Sequence, residues 1–195
     1  MSCTGILLAA GRGRRFDPTG AQNKLLQKLP NGEIVAVQAA RRLAQVLPDA
    51  LVVVNPDARE LIALLRQEDI RTVICPAAAT GIGDSLAHAI SLTANAGAWV
   101  IALADMPHVQ ASTIVALYRA LGSGADIAAP VMHARRGNPV GFSQRHRAAL
   151  LNLHGDQGAR ALLDAFAVTL VEVDDPGIFR DIDTPDDLHF GGVLI

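Results

Sequence analysis

The stretch LLAAGRGRRFDPTGAQNKLL, residues 7–26, decides the fold. It continues the apolar run GILLAA at 5–10, which has the character of a buried strand, into a segment with three glycines and three arginines. Sequence with helical character follows this segment. A buried strand, a glycine-rich turn and a helix in this order indicate the first unit of an α/β protein with a parallel sheet.

The rest of the chain alternates short apolar runs with amphipathic stretches. This pattern predicts one domain over 1–195, an α/β three-layer sandwich with a mostly parallel, Rossmann-like sheet. The run at 138–143 breaks the alternation, so we expect an antiparallel strand or a small excursion there. The predicted strands are 5–10, 50–55, 71–75, 98–104, 126–132, 138–143 and 168–174, and the predicted helices are 34–47, 57–67, 84–96, 111–122, 158–166 and 184–190.

Composition excludes several classes of protein. The 195 residues carry a net charge of −2 with a pI of about 6.3, which disfavours a nucleic-acid partner held by bulk charge. The two cysteines, Cys3 and Cys75, form neither a disulfide framework nor a zinc motif. No signal peptide is visible, and no apolar run reaches the roughly 18 residues of a membrane span. We therefore expect a cytoplasmic protein without a membrane partner.

The loop after the first predicted strand has the character of a phosphate site. Gly11 and Gly13 allow the backbone to approach a ligand and to direct N–H groups at an anion. Arg14, Arg15 and Lys24 add positive charge that phosphate oxygens can use. The alternative is a solvated basic loop. A P-loop is excluded because no Ser or Thr follows Lys24.

A dinucleotide-binding turn is also disfavoured, since the third glycine of GxGxxG is replaced by Phe16. The next predicted strand ends in Asn55 instead of the acidic residue that would bind a ribose. This argues against a dehydrogenase.

Two carboxylates follow other predicted strands. Ligands of open α/β sheets bind outside the carboxyl ends of the strands. Asp105 comes directly after a wholly apolar strand, where an unpaired carboxylate would be costly. The alternative is that Asp105 only caps the next helix. Asp183, in DIDTPDD, is a second candidate, and the alternative is that it only caps the helix that follows. One or two carboxylates with substrate phosphates are the usual way in which proteins hold Mg²⁺.

The motifs LLAAGRGRR…NK, ALADMP and DIDTPDDL, in this order, resemble the MobA-like NTP transferases that attach a nucleotide to molybdopterin. Within that group the chain is most similar to the molybdenum cofactor cytidylyltransferases, from about residue 4 to residue 188. The resemblance implies a sheet of the nucleotide-diphospho-sugar transferase type and Mg²⁺-dependent transfer of CMP from CTP to the phosphate of Mo-molybdopterin, with release of pyrophosphate. It also implies a molybdenum hydroxylase or its maturation factor as a partner.

The resemblance assigns roles to residues of this chain. Arg15, Lys24 and Asp105 would be catalytic, and Asp105 and Asp183 would hold the metal. The longer spacing between Arg15 and Lys24, which includes FDPTGAQN, departs from close relatives and leaves open how Lys24 closes over the phosphates. The residues expected around the nucleotide are Leu8, Ala9, Ala10, Gly11, Gly13, Arg14, Arg15, Lys24, Asn55, Ser85 and Asp105.

Two further stretches concern the choice of base and the acceptor. Guanylyltransferases read LAGG where this chain reads LAAG at 8–11, so the methyl group of Ala10 favours cytosine over a purine. HGDQGAR at 154–160 matches an element of the cytidylyl branch, with Asp156 and Arg160 as acceptor-binding candidates beside Asn138. The alternative is that Asp156 is an ordinary helix cap. The alternatives are a GTP-using enzyme, a sugar- or alcohol-phosphate nucleotidyltransferase, and a non-catalytic carrier of the cofactor.

Overall fold

The computed structural model describes residues 1–11, 16–17, 19 and 22–189, and this part of the chain forms an eight-stranded sheet with helices on both faces. The strands are β1 (Cys3–Ala9), β2 (Leu51–Val54), β3 (Arg71–Ile74), β4 (Ala98–Leu103), β5 (Ile127–Met132), β6 (Arg135–Arg136), β7 (Val140–Ser143) and β8 (Thr169–Glu172). The α-helices are α1 (Val35–Val46), α2 (Arg59–Gln67), α3 (Ile82–Leu92), α4 (Ala111–Gly122), α5 (Arg147–Leu151) and α6 (Arg160–Ala165).

The strands lie in the order β3-β2-β1-β4-β7-β5-β6, and β8 pairs with β5. β1 is parallel to β2 and β4, β2 is parallel to β3, and β5 is parallel to β8. β7 runs antiparallel to β4 and β5. The mostly parallel sheet is confirmed, and the run at 138–143 forms the antiparallel strand that its break in the pattern predicted.

Side-chain alternation along β1 divides the core between the two faces of the sheet. Leu7 and Ala9 belong to the cluster under α1, α2 and α4, whereas Ile6, Leu8 and Ala10 belong to the cluster under α3, α5 and α6. All five side chains are buried. The three-layer arrangement follows because a strand that is apolar on both faces must be covered on both.

Several short elements escaped prediction. α5 is a single turn of five residues, and β6 has two residues, so neither is long enough to display a period. The predicted helix at 84–96 begins and ends earlier, as Ile82–Leu92. The predicted helix at 184–190 is a 3₁₀ turn over Pro185–His189. Among the described residues, no helix has both the length and the apolar character that crossing a membrane requires.

Candidate active site

Three side chains from distant parts of the chain meet at the carboxyl ends of β1 and β4. The Nζ atom of Lys24 lies 2.7 Å from Oδ2 of Asp105 and 3.0 Å from Oδ1 of Asp183. Lys24 begins a 3₁₀ turn, Lys24–Leu26, whose start is capped by the Asn23 side chain accepting a hydrogen bond from the Leu25 N–H at 3.0 Å. The tertiary structure therefore joins three of the predicted site residues in one ion-pair cluster.

The charge of Lys24 is maintained by its neighbours. Burial disfavours the ammonium form and by itself would lower the pKa of Lys24, but Asp105 and Asp183 together outweigh this effect and raise the pKa above its ordinary value. The lysine side chain is 10% exposed, whereas Asp105 and Asp183 are 23% and 30% exposed. A buried cation thus faces two carboxylates that remain accessible from outside the core.

Asp183 is held in place by the turn that follows it. The carboxylate of Asp187 accepts hydrogen bonds from the N–H groups of Asp183 and Thr184, at 3.0 and 2.6 Å. The Ile182 N–H donates to the Asp105 carbonyl at 2.8 Å, which ties this segment to the end of β4. The capping hydrogen bonds of the turn are accepted by Asp187, while the Asp183 carboxylate is directed at Lys24.

Asp175 is a buried carboxylate that sequence reasoning missed. It accepts hydrogen bonds from the Gln110 N–H at 2.8 Å, the Thr113 hydroxyl at 2.6 Å and the Gly177 N–H at 2.9 Å. These contacts fasten the segment after β8 to the first turn of α4 and so bring Asp183 beside Asp105. The Asp-Pro-Gly sequence at 175–177 indicates a turn, but nothing local reveals its distant partners.

A cavity of about 450 Å³, here called the lysine cavity, opens beside the cluster. Its lining includes the backbone turn after β1, the end of the loop after β3 with the start of α3, and the end of β4. Seven of the predicted site residues lie in that lining, which are Leu8, Ala10, Gly11, Lys24, Ser85, Asp105 and Asp156. Asp156, which the sequence assigns to the acceptor, therefore lines the same cavity as six residues that it assigns to the nucleotide.

A second cavity of about 470 Å³, here called the arginine cavity, adjoins the first, and Leu8, Ile82 and Leu103 line both. Its lining also includes the predicted acceptor residues Asn138 and Arg160. Apolar side chains contribute much of the rest of the lining, and the three arginines there are exposed to solvent, namely Arg135, Arg136 and Arg160. This cavity suits a ligand with an apolar body and an anionic group.

The start of α3 and the loop that precedes α6 contribute residues to both cavities and are joined to each other by hydrogen bonds. The Asp84 carboxylate accepts hydrogen bonds from the Thr80 hydroxyl at 2.7 Å and from the Gly155 N–H at 2.8 Å, and both lower the pKa of Asp84. The Gly83 N–H donates to the Gly155 carbonyl at 2.8 Å. A Cβ atom at Gly83 would lie 2.7 Å from the Gln157 carbonyl oxygen, so this close approach requires glycine.

Some predicted residues lie elsewhere. The Ala9 side chain is on the opposite face of the sheet from both cavities, because consecutive residues of a strand alternate. Asn55, at the end of β2, accepts a hydrogen bond from the Asp57 N–H at 3.0 Å and lines neither cavity. Gly13, Arg14 and Arg15 lie outside the described residues.

Comparisons with known proteins agree with this architecture. Nicotine blue oxidoreductase of Paenarthrobacter nicotinovorans is 26% identical, with 95% of this chain and 94% of that protein covered. The Mycobacterium tuberculosis H37Rv protein Rv0371C, solved as a complex with manganese, has a TM-score of 0.77 and is 25% identical, with 96% of each chain covered.

A second similar structure is a molybdopterin-guanine dinucleotide biosynthesis protein A from Archaeoglobus fulgidus. Its TM-score is 0.70 with 95% of this chain and 94% of that chain covered, and at 20% identity the likeness concerns the fold. Residues 5–172 match the family described as the MobA-like NTP transferase domain. This chain therefore belongs to the MobA-like NTP transferase family of nucleotidyltransferases.

Proposed function

We propose that this protein transfers CMP from CTP to the phosphate of Mo-molybdopterin and releases pyrophosphate. The observation that carries the proposal is the convergence of Lys24, Asp105 and Asp183 beside the lysine cavity, at the sheet edge where α/β proteins bind nucleotides. In the reaction an oxygen of the acceptor phosphate attacks the α-phosphorus of CTP, and the bond from that phosphorus to the β-phosphate oxygen breaks. The product would serve a molybdenum hydroxylase or its maturation factor.

The two cavities divide the substrates between them. The nucleotide would occupy the lysine cavity, and the acceptor would occupy the arginine cavity with its phosphate toward the shared residues Leu8 and Leu103. Arg160 and Asn138 supply donors for an anionic acceptor. A phosphate oxygen is already ionised at neutral pH, so this chain needs to orient the two substrates without supplying a general base.

Asp105 and Asp183 would hold a divalent cation, which we take to be Mg²⁺. The donor set fits, because two carboxylate oxygens converge within 3.0 Å of a single cationic atom in this structure. The related manganese complex supports a divalent ion at this fold. When bound, the cation neutralises charge on the phosphates. Lys24 and Arg15 would stabilise the charge that builds on the phosphoryl oxygens during transfer.

A second candidate activity is an oxidoreductase reaction. It is favoured by one observation, the relative named nicotine blue oxidoreductase, which is 26% identical over nearly the whole of both chains. The two candidates differ in what they consume. A nucleotidyltransferase cleaves an NTP, whereas an oxidoreductase transfers electrons between its substrate and a redox cofactor and leaves the NTP intact.

The test is a pyrophosphate-release assay with purified protein, Mg²⁺, molybdopterin and each of the four ribonucleoside triphosphates. We expect turnover with CTP above the others. Asp105→Asn should lower kcat by roughly 100-fold or more, on the scale of removing one element that stabilises transition-state charge. Asp186→Asn, which changes an exposed carboxylate in the turn after Asp183, is the matched control and should keep wild-type turnover.

Two results would overturn the proposal. One is the absence of pyrophosphate with all four triphosphates, together with reduction of nicotine blue by a reduced nicotinamide cofactor in a parallel assay. The other is wild-type turnover by Asp105→Asn.

A further inference from the structure

We propose that Lys24 and a divalent cation are alternative occupants of the site between Asp105 and Asp183, so that the cation binds with the triphosphate and not before it. The inference rests on the proposed function of this site. It begins from the ion-pair cluster, in which one ammonium group lies 2.7 and 3.0 Å from oxygens of both carboxylates. Lys24 therefore fills the position of a shared counter-ion.

The two cations cannot share this position. A magnesium ion requires its oxygen ligands at about 2.0–2.1 Å, so an ion bound to both carboxylates would lie within a few ångströms of Nζ. Like charges at that separation in a partly buried site repel strongly, because the water that would screen them is reduced. As a whole residue, Lys24 exposes only 8% of its surface. Solvent therefore cannot screen its charge from a metal ion while the side chain stays in place.

A triphosphate offers Lys24 a new partner. Its oxygens form charge-assisted hydrogen bonds with ammonium groups, and Lys24 lines the lysine cavity. The exchange needs only rotation of a four-carbon side chain, since the backbone of Lys24 is held by its 3₁₀ turn and the Asn23 cap. Asp105 and Asp183 are already partly exposed, so a cation reaches them without opening the core.

The consequence is coupled binding. The nucleotide raises the affinity for the cation by withdrawing Lys24, and the cation must raise the affinity for the nucleotide by the same factor. Lys24 thereby prevents the free protein from holding a divalent ion at a site where no substrate is present.

The experiment measures Mn²⁺ binding to the nucleotide-free protein, by the loss of the electron paramagnetic resonance signal of free Mn²⁺. Wild type should bind Mn²⁺ weakly, and Lys24→Met should bind it on the order of tenfold tighter, within the usual range of coupling between two sites. This gain in Mn²⁺ affinity should vanish in the double variant that combines Lys24→Met with Asp105→Asn. Lys28→Met, which removes an exposed lysine four residues away, should bind Mn²⁺ as wild type does.

A second measurement uses the unaltered protein, in case Lys24→Met fails to fold. Mn²⁺ should leave the melting temperature of the free protein unchanged at a concentration that raises it in the presence of CTP, because only a bound ion stabilises the folded state. Tight binding of Mn²⁺ to wild type without nucleotide, or a folded Lys24→Met with wild-type affinity, would overturn the inference. The arms without nucleotide do not depend on turnover, so a failed assay for transfer would not be mistaken for a failure here.

Discussion

At the scale of single residues, Ala10 lies where the base of the nucleotide is expected. Its side chain lines the lysine cavity, and the strand alternation that directs it there sends Ala9 to the opposite face. Neighbouring alanines therefore differ in what their methyl groups touch. One borders a cavity, and the other packs in the core.

This difference gives a matched pair of variants. Removing the Ala10 methyl group gives a purine more room, and one methyl group in a pocket contributes about 1–3 kcal/mol of discrimination. We expect Ala10→Gly to lower the ratio of kcat/KM for CTP to that for GTP by roughly tenfold or more. Ala9→Gly should reduce stability and leave the ratio unchanged. Equal ratios in wild type and Ala10→Gly would show that another residue selects the base.

At the scale of elements, the start of α3 and the loop at 154–157 form one unit. The helix begins at Ile82 between two glycines, and both Gly81 and Gly83 approach the backbone of that loop so closely that a Cβ atom would collide with it. Asp84 then joins the elements by accepting hydrogen bonds from both. Because this unit contributes residues to both cavities, we expect its packing to affect how the two substrates are placed.

Gly83→Ala tests the packing of this unit. The new Cβ would lie 2.7 Å from the Gln157 carbonyl oxygen and 2.8 Å from the His154 nitrogen, and backbone atoms cannot rotate away. We expect a loss of about 1–3 kcal/mol in the free energy of unfolding, typical of overpacking, and weaker binding of CTP.

The control is Gly122→Ala, at the end of α4, where a Cβ meets nothing within 4 Å. Stability there should be unchanged or should rise by up to about 1 kcal/mol, since alanine favours a helix. Urea unfolding and calorimetric titration with CTP measure both effects. Equal stability and equal CTP affinity of Gly83→Ala and Gly122→Ala would mean that the loop at 154–157 moves aside freely.

At the scale of the whole molecule, both layers of helices depend on the same central strands. Trp99 in β4 is fully buried on the α3 face, where its indole N–H donates to the Thr93 hydroxyl at 2.9 Å. Its neighbour Val100 packs into the core on the opposite face. Separation of either layer would therefore expose β4.

We expect the chain to unfold as one cooperative domain. Fluorescence of Trp99, the only tryptophan, reports on the core under α3, and far-UV circular dichroism reports on all the helices. The two signals should have coincident midpoints in urea, as two-state unfolding requires. Trp99→Phe should abolish the fluorescence change and retain the dichroism change. Different midpoints for the two signals would show that the chain unfolds as two separate units.

Much of the fold was predictable because its signals are local. Apolar runs, amphipathic periods and glycine positions indicated the layers, the parallel strands and the antiparallel strand at 138–143. The sequence could single out Lys24, Asp105 and Asp183 because each follows a predicted strand. The carboxyl ends of parallel strands lie at one edge of the sheet, where ligands bind. Because side chains alternate along a strand, the sequence also implies that Ala9 lies on the opposite face of the sheet from Leu8 and Ala10.

By itself, the sequence determined which elements form and which edge of the sheet carries polar residues, because both depend on neighbours within a few positions. Only the tertiary structure decided that Lys24 bridges two carboxylates and that Asp84 joins the start of α3 to the loop at 154–157. Those contacts join residues up to 159 positions apart, at Lys24 and Asp183. No local period encodes such a pairing, since it arises from the order in which strands and their loops assemble in space.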